Sequence, residues 1–122
     1  MSITARNKEV LELFNHLLHD LYLEVPEGGF KVQDNELCLD LTDRDHCIHS
    51  GLVVVYRVCV ERVTSIQTQG DVRDLPGNEA QLNEIKFNPK EKLVMFECVH
   101  PFKIICKVEQ FRLRIDEIPS RN

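Results

Sequence analysis

The apolar residues of this chain change their spacing once, and that change limits what it can fold into. Val10, Leu13, Phe14, Leu17, Leu18 and Leu21 recur at helical intervals. At about 100° per residue they share one stripe of an amphipathic helix. From Phe30 to Ile118 the apolar residues instead alternate, or run together as in covered strands. One helix followed by many strands predicts an α+β fold: an N-terminal amphipathic helix packed on a curved, mostly antiparallel sheet of five to six strands. At 122 residues the chain is expected to form a single domain, 1–122, with one core.

The helix is expected to run from Asn7 to Glu24 with Asn7 as its N-cap, because an Asn side chain accepts a bond from an unpaired amide of the first turn. Pro26 and Gly28-Gly29 are expected to end it. Phe30–Val32 and Glu36–Leu41 read as a hairpin around Gln33-Asp34-Asn35, with Leu37, Leu39 and Leu41 on one face and Glu36, Cys38 and Asp40 on the other. Leu52–Val60 holds five valines in nine residues and belongs in the middle of the sheet. Residues 64–80, with Gly70, Pro76 and Gly77, read as a strand tail and a long loop.

Asn88-Pro89-Lys90-Glu91 has the composition of a type I turn and predicts a hairpin between Leu82–Phe87 and Lys92–Val99. In the last segment Phe102, Ile104, Cys106 and Val108 keep one phase, and Phe111, Leu113 and Ile115 the other. One extra residue at Glu109-Gln110, a β-bulge, would return both sets to the same face and bend the strand.

The net charge of −5 disfavours phosphate-backbone partners, so nucleic-acid binding is not expected. The polar start lacks the apolar centre of a signal peptide, and no run of 18 apolar residues is present, so no membrane association is expected. Five cysteines, an odd count without C-x-x-C, read as free thiols in a reducing cytoplasm, four of them packed in strands as small hydrophobes.

The residue types that bind zinc or activate a nucleophile gather in the loop from Asp43 to His49, where Asp45, His46, Cys47 and His49 are the candidate catalytic residues and His46 and His49 the candidate metal ligands. Their spacing matches neither a structural zinc site nor a calcium loop. Glu12, His16 and His19 form a second apparent ligand set, on the polar side of the helix. Phosphate-loop, dinucleotide, serine-hydrolase and zinc-protease signatures are missing from the sequence, and no cofactor is implied.

Lys103, Lys107, Arg112 and Arg114 read as a basic row along one strand, about 35 Å long at strand rise. It is a candidate binding surface for an acidic partner or the acidic half of a second copy. The reading that follows is a small soluble cytoplasmic protein, a non-catalytic binding or protein-interaction module that pairs with another protein or with itself as a homodimer. The alternative is a metal- or thiol-dependent enzyme using the Asp43 to His49 loop. A small-molecule carrier is a third reading, with cavity walls from Val54, Tyr56, Val58, Phe96, Phe102, Ile104 and Phe111.

Overall fold

The structure is a computed structural model and describes residues 2–5, 7–26, 29–43, 53–71, 73, 75, 77 and 79–120. Among these, strand β1 (Ser2–Ala5) precedes the helix α1 (Lys8–Leu18), and eight further strands follow. They are β2 (Tyr22–Leu23), β3 (Leu37–Asp43), β4 (Val53–Val60), β5 (Val63–Gln69), β6 (Ala80–Asn88), β7 (Leu93–Cys98), β8 (Lys103–Val108) and β9 (Leu113–Ser120). One helix on an antiparallel sheet is the expected class, with more strands than the five to six expected. The surplus comes from β1, from β2, and from the last segment supplying two strands.

The sheet order is β1-β9-β4-β3-β2-β6-β7-β8-β5. β4 and β5 are joined by only two residues, Glu61 and Arg62, yet stand at the third and ninth places of that order. β8 and β9, joined by residues 109–112, are separated in the same way. The two segments therefore run side by side through a shared corner, β4 paired with β9 before it and β5 with β8 beyond it. At the corner the Glu61 amide donates to the Arg112 carbonyl at 3.1 Å and the Glu109 amide to the Arg62 carbonyl at 3.1 Å. The sheet folds back on itself there, and Ile104, Cys106, Val108, Phe111, Leu113 and Ile115 all reach one core. The phase change at Glu109-Gln110 has the expected effect on the side chains, through a break between two strands in place of a bulge in one.

The helix keeps its expected start and loses its expected end. Asn7 Oδ1 accepts from the Val10 amide at 3.0 Å. The helix stops at Leu18, eleven residues and about 17 Å long, and Asp20 turns out of it at φ 67°. Tyr22 and Leu23 then lie between β3 and β6 and pair with both. Leu21 fits the helical stripe but Leu23, two residues on, does not; their alternation suits a strand, and backbone pairing on two sides decides for it. The buried stripe is also rolled from the expected one: Leu11, Phe14 and Leu18 are buried, while Leu13 is 66% exposed and Leu17 42%. Asn15 causes this roll, because its amide turns inward to bond the backbone of Ile85 in β6.

β4 lies between β3 and β9, so the valine-rich segment is central as expected over its described residues. The first hairpin shrinks to a single bridge, Gln33 with Glu36, across a two-residue turn in which Asp34 and Asn35 have φ of 52° and 61°. The Asn88 turn joins β6 and β7 as expected, with Asn88 Oδ1 accepting from the amides of Lys90 and Glu91 at 3.0 and 3.2 Å. Residues 64–69, expected as a strand tail, belong to an edge strand paired along its length with β8.

Candidate functional site

The loop that carries the sequence-predicted chemistry lies outside the described residues from position 44 onward: Asp45, His46, Cys47 and His49 belong to that segment. Asp43 is the last residue of β3. Glu12, His16 and His19 do not form a ligand set. The helix ends before His19, whose Nδ1 is 2.9 Å from Asp20 Oδ1.

The basic row divides. Lys103 and Lys107 lie on β8, whose neighbours are β7 and β5, while Arg114 lies on β9 beside β1 and β4. Arg112 sits at the corner with its Nε 2.8 Å from Glu61 Oε2, a buried oxygen that takes this ion-pair contact without an aligned hydrogen bond. Lys103 Nζ is 3.8 Å from Glu97. Arg114 bonds Glu36 Oε1 at 3.0 Å and Asp116 Oδ2 at 3.2 Å. The expected row is thus two separate groups, because the corner sends its halves to different neighbours, and three of its four cations already face carboxylates of this chain. Of the proposed carrier walls, Val58, Phe96, Ile104 and Phe111 are packed in the core, Tyr56 packs against it, and Phe102 also lines a groove.

What the fold does assemble is a pair of cysteines. Cys38 of β3 and Cys59 of β4 are directly opposite in register, with Cα atoms 4.1 Å apart, and their sulfurs form a disulfide. The reading of these two residues as free thiols is corrected. Strand alternation puts Cys38 on the outer face with Glu36 and Asp40, as the sequence implies; its partner follows only from the register with β4. Cys38 is exposed and Cys59 is 1% exposed. Cys59 owes its cover to its place between two neighbours, Cys38 on one strand and Arg114 on the other.

Charge around the pair is balanced in a lattice across three strands. Arg57 makes two bonds to the Asp40 carboxylate, at 2.9 and 3.2 Å, and stands opposite Asp116 in β9. The guanidinium of Arg57 is held above its ordinary pKa chiefly by the hydrogen bonds to Asp40, and that of Arg114 chiefly by the bond to Asp116. Glu36 Oε1 lies 3.4 Å from Cys38 Sγ, and this carboxylate and the two sulfurs are mutually within 4.8 Å. Three donors fall short of the four that structural zinc takes, and sulfurs bonded to each other are not thiolate ligands. A shallow depression of about 350 Å3 opens beside Cys38, lined by Glu24, Val25, Pro26, Asp40 and Arg57. Cys98 and Cys106 belong to the other half of the sheet, where burial pushes their thiols up to about 11 and about 12.

The second surface feature is the outer side of β5, which has no strand neighbour among the described residues. This strand ends the sheet order, and five of its seven residues are exposed. Its sequence, Val-Thr-Ser-Ile-Gln-Thr-Gln, contains no charge and no proline. A groove of about 1240 Å3 begins at its C-terminal end, between Thr68, Gly70 and Asp71 on one side and Tyr22, Leu23 and Phe30 on the other.

Among the described residues no helix is long and apolar enough to cross a membrane. No protein-family model matches the chain, and no significant match is found among curated proteins or solved structures.

Proposed function

We propose that this protein is a non-catalytic protein-interaction module that binds by strand addition at β5. The observation that carries the reading is the chemistry of that edge. Sheet edges are ordinarily guarded by lysine, proline or an early bulge, since exposed amides and carbonyls accept any extended chain. Apart from the irregularity between Val63 and Ser65, β5 has none of these guards over Ser65–Gln69. Uncharged edges of this kind pair with an extended partner through main-chain bonds, and neighbouring pockets choose its side chains. The groove at the end of β5 supplies apolar wall from Leu23 and Phe30 and charge from Asp71 and Arg73.

The partner is a protein segment or a second copy of this chain. A net charge of −5 argues against nucleic acid.

The test uses Ser65→Lys/Gln67→Lys, which charges two exposed positions of β5 on one face. Proteins retained by the tagged wild-type chain at stoichiometric level, or a dimer seen by sedimentation, should be lost in this variant while its melting temperature is kept. The reading is rejected if the variant retains the same partners, or if the wild type retains neither a partner nor itself.

A further inference from the structure

Cys38 and Cys59 have an asymmetry that a purely structural staple does not need. One sulfur borders an open depression, while the other is covered on both sides by its strand neighbours. We propose that Cys38 and Cys59 are a reversible thiol–disulfide exchange pair that reacts with low-molecular-weight or peptide thiols through Cys38.

An incoming thiolate must reach a sulfur along the axis of the bond it breaks, and access selects which sulfur is attacked. The depression lined by Val25, Pro26, Asp40 and Arg57 admits a thiol to Cys38. A new bond forms between the incoming sulfur and Cys38, the Cys38–Cys59 bond breaks, and the electron pair leaves on Cys59, which takes up a proton. Arg114, opposite Cys59 in β9, brings its guanidinium to the same strand position, where it is shared with Glu36 and Asp116. A second thiolate then attacks the external sulfur of the mixed disulfide and releases Cys38, which is protonated in turn. Two external thiols become one external disulfide, and the protein pair gains two electrons and two protons. In reverse, Glu36 Oε1, 3.4 Å from Cys38 Sγ, can accept a hydrogen bond from the Cys38 thiol before its thiolate attacks an external disulfide.

The fold permits the cycle because the two thiols do not depend on their bond to stay together. β3 and β4 are paired over seven residues, from Leu37 with Val60 to Asp43 with Val54. Reduction leaves that ladder intact, so the sulfurs remain opposite each other at high effective concentration. Disulfides that occur in reducing compartments are mostly of this transient kind.

The test begins with wild-type protein purified without reductant, treated with limiting reduced glutathione, quenched in acid and mapped by peptide mass spectrometry. Glutathione is expected on Cys38 in roughly tenfold excess over Cys59, as the exposure of the two sulfurs dictates. In parallel, oxidised glutathione should modify Cys38 in Cys59→Ser and leave Cys59 unmodified in Cys38→Ser. The proposal is overturned by adducts divided equally between the two sulfurs, by a bond that opens only in denaturant, or by a reduced pair that oxidised glutathione cannot rejoin. If either variant fails to fold, the wild-type map decides alone.

Discussion

The side chain of Asn15 closes both hydrogen-bonding groups of a single residue in the facing sheet. Its Oδ1 accepts from the Ile85 amide at 2.7 Å and its Nδ2 donates to the Ile85 carbonyl at 2.9 Å. At Ile85 β6 has β7 on one side, and β2 is too short to reach it on the other. The helix supplies the missing partner with one amide group. In Asn15→Leu the Ile85 groups lose both bonds, and urea unfolding should show a loss of about 1–3 kcal/mol, the cost of leaving partly buried main-chain groups unpaired. Asn15→Asp keeps the acceptor and loses the donor, and should fall between.

The roll of the helix towards Asn15 gives opposite values to two leucines that lie at the two edges of the stripe implied by the sequence spacing. Leu18 is fully buried and Leu13 is 66% exposed. Leu18→Ala should cost about 2–5 kcal/mol, whereas Leu13→Ala should stay within about 0.5 kcal/mol of the wild type. Equal losses in thermal unfolding would mean that the helix packs on the stripe implied by the sequence spacing.

That contrast shows where sequence reading succeeds and where it stops. Asn7 as N-cap and Asn88 as turn residue were legible because each acts on amides two or three positions away. The end of the helix was not, because Leu21 continues the helical stripe while the strand partners of the segment that follows, Leu41 and Ala80 among them, are remote in sequence. The same holds for the site. Alternation put Cys38 on the polar face, but its partner depends on an inter-strand register that no local pattern records. The basic row looked continuous because nothing in Lys103–Arg114 states that the chain changes neighbours at the corner.

Cys98 and Cys106 should behave as inert thiols. With burial raising them to about 11 and about 12, neither should react with a maleimide at pH 8 in the folded protein, and both should react once it is unfolded. The sign of the pH effect follows. Folded-state values above the unfolded value of 9.0 mean that the native state holds these protons longer. Their contribution to stability is complete below pH 9 and is lost as the pH rises through 11 and 12. Urea midpoints between pH 8 and 10.5 should fall, and less so in Cys106→Ala measured against its own value at pH 8.

Gly70 ends β5 at φ +90°, and a Cβ there would collide with the carbonyl oxygen of Pro101. Gly70→Ala meets both a backbone penalty and a backbone obstacle, so a loss of about 1–3 kcal/mol is expected. Gly77 also has a positive φ but only ordinary side-chain neighbours, so Gly77→Ala should cost less by differential scanning fluorimetry.

The place of β2 in the sheet gives the molecule the mechanics of a clasped book. Two four-strand leaves, β1-β9-β4-β3 and β6-β7-β8-β5, share a spine at the corner, and among the described strands only two-residue β2 is bonded to both leaves. A spine made of continuous chain cannot part without breaking the core, but a clasp of two residues can. Breathing short of global unfolding should therefore begin at Tyr22–Leu23, and native-state hydrogen exchange should find the amides of Glu24 and Leu82 opening before those of β4.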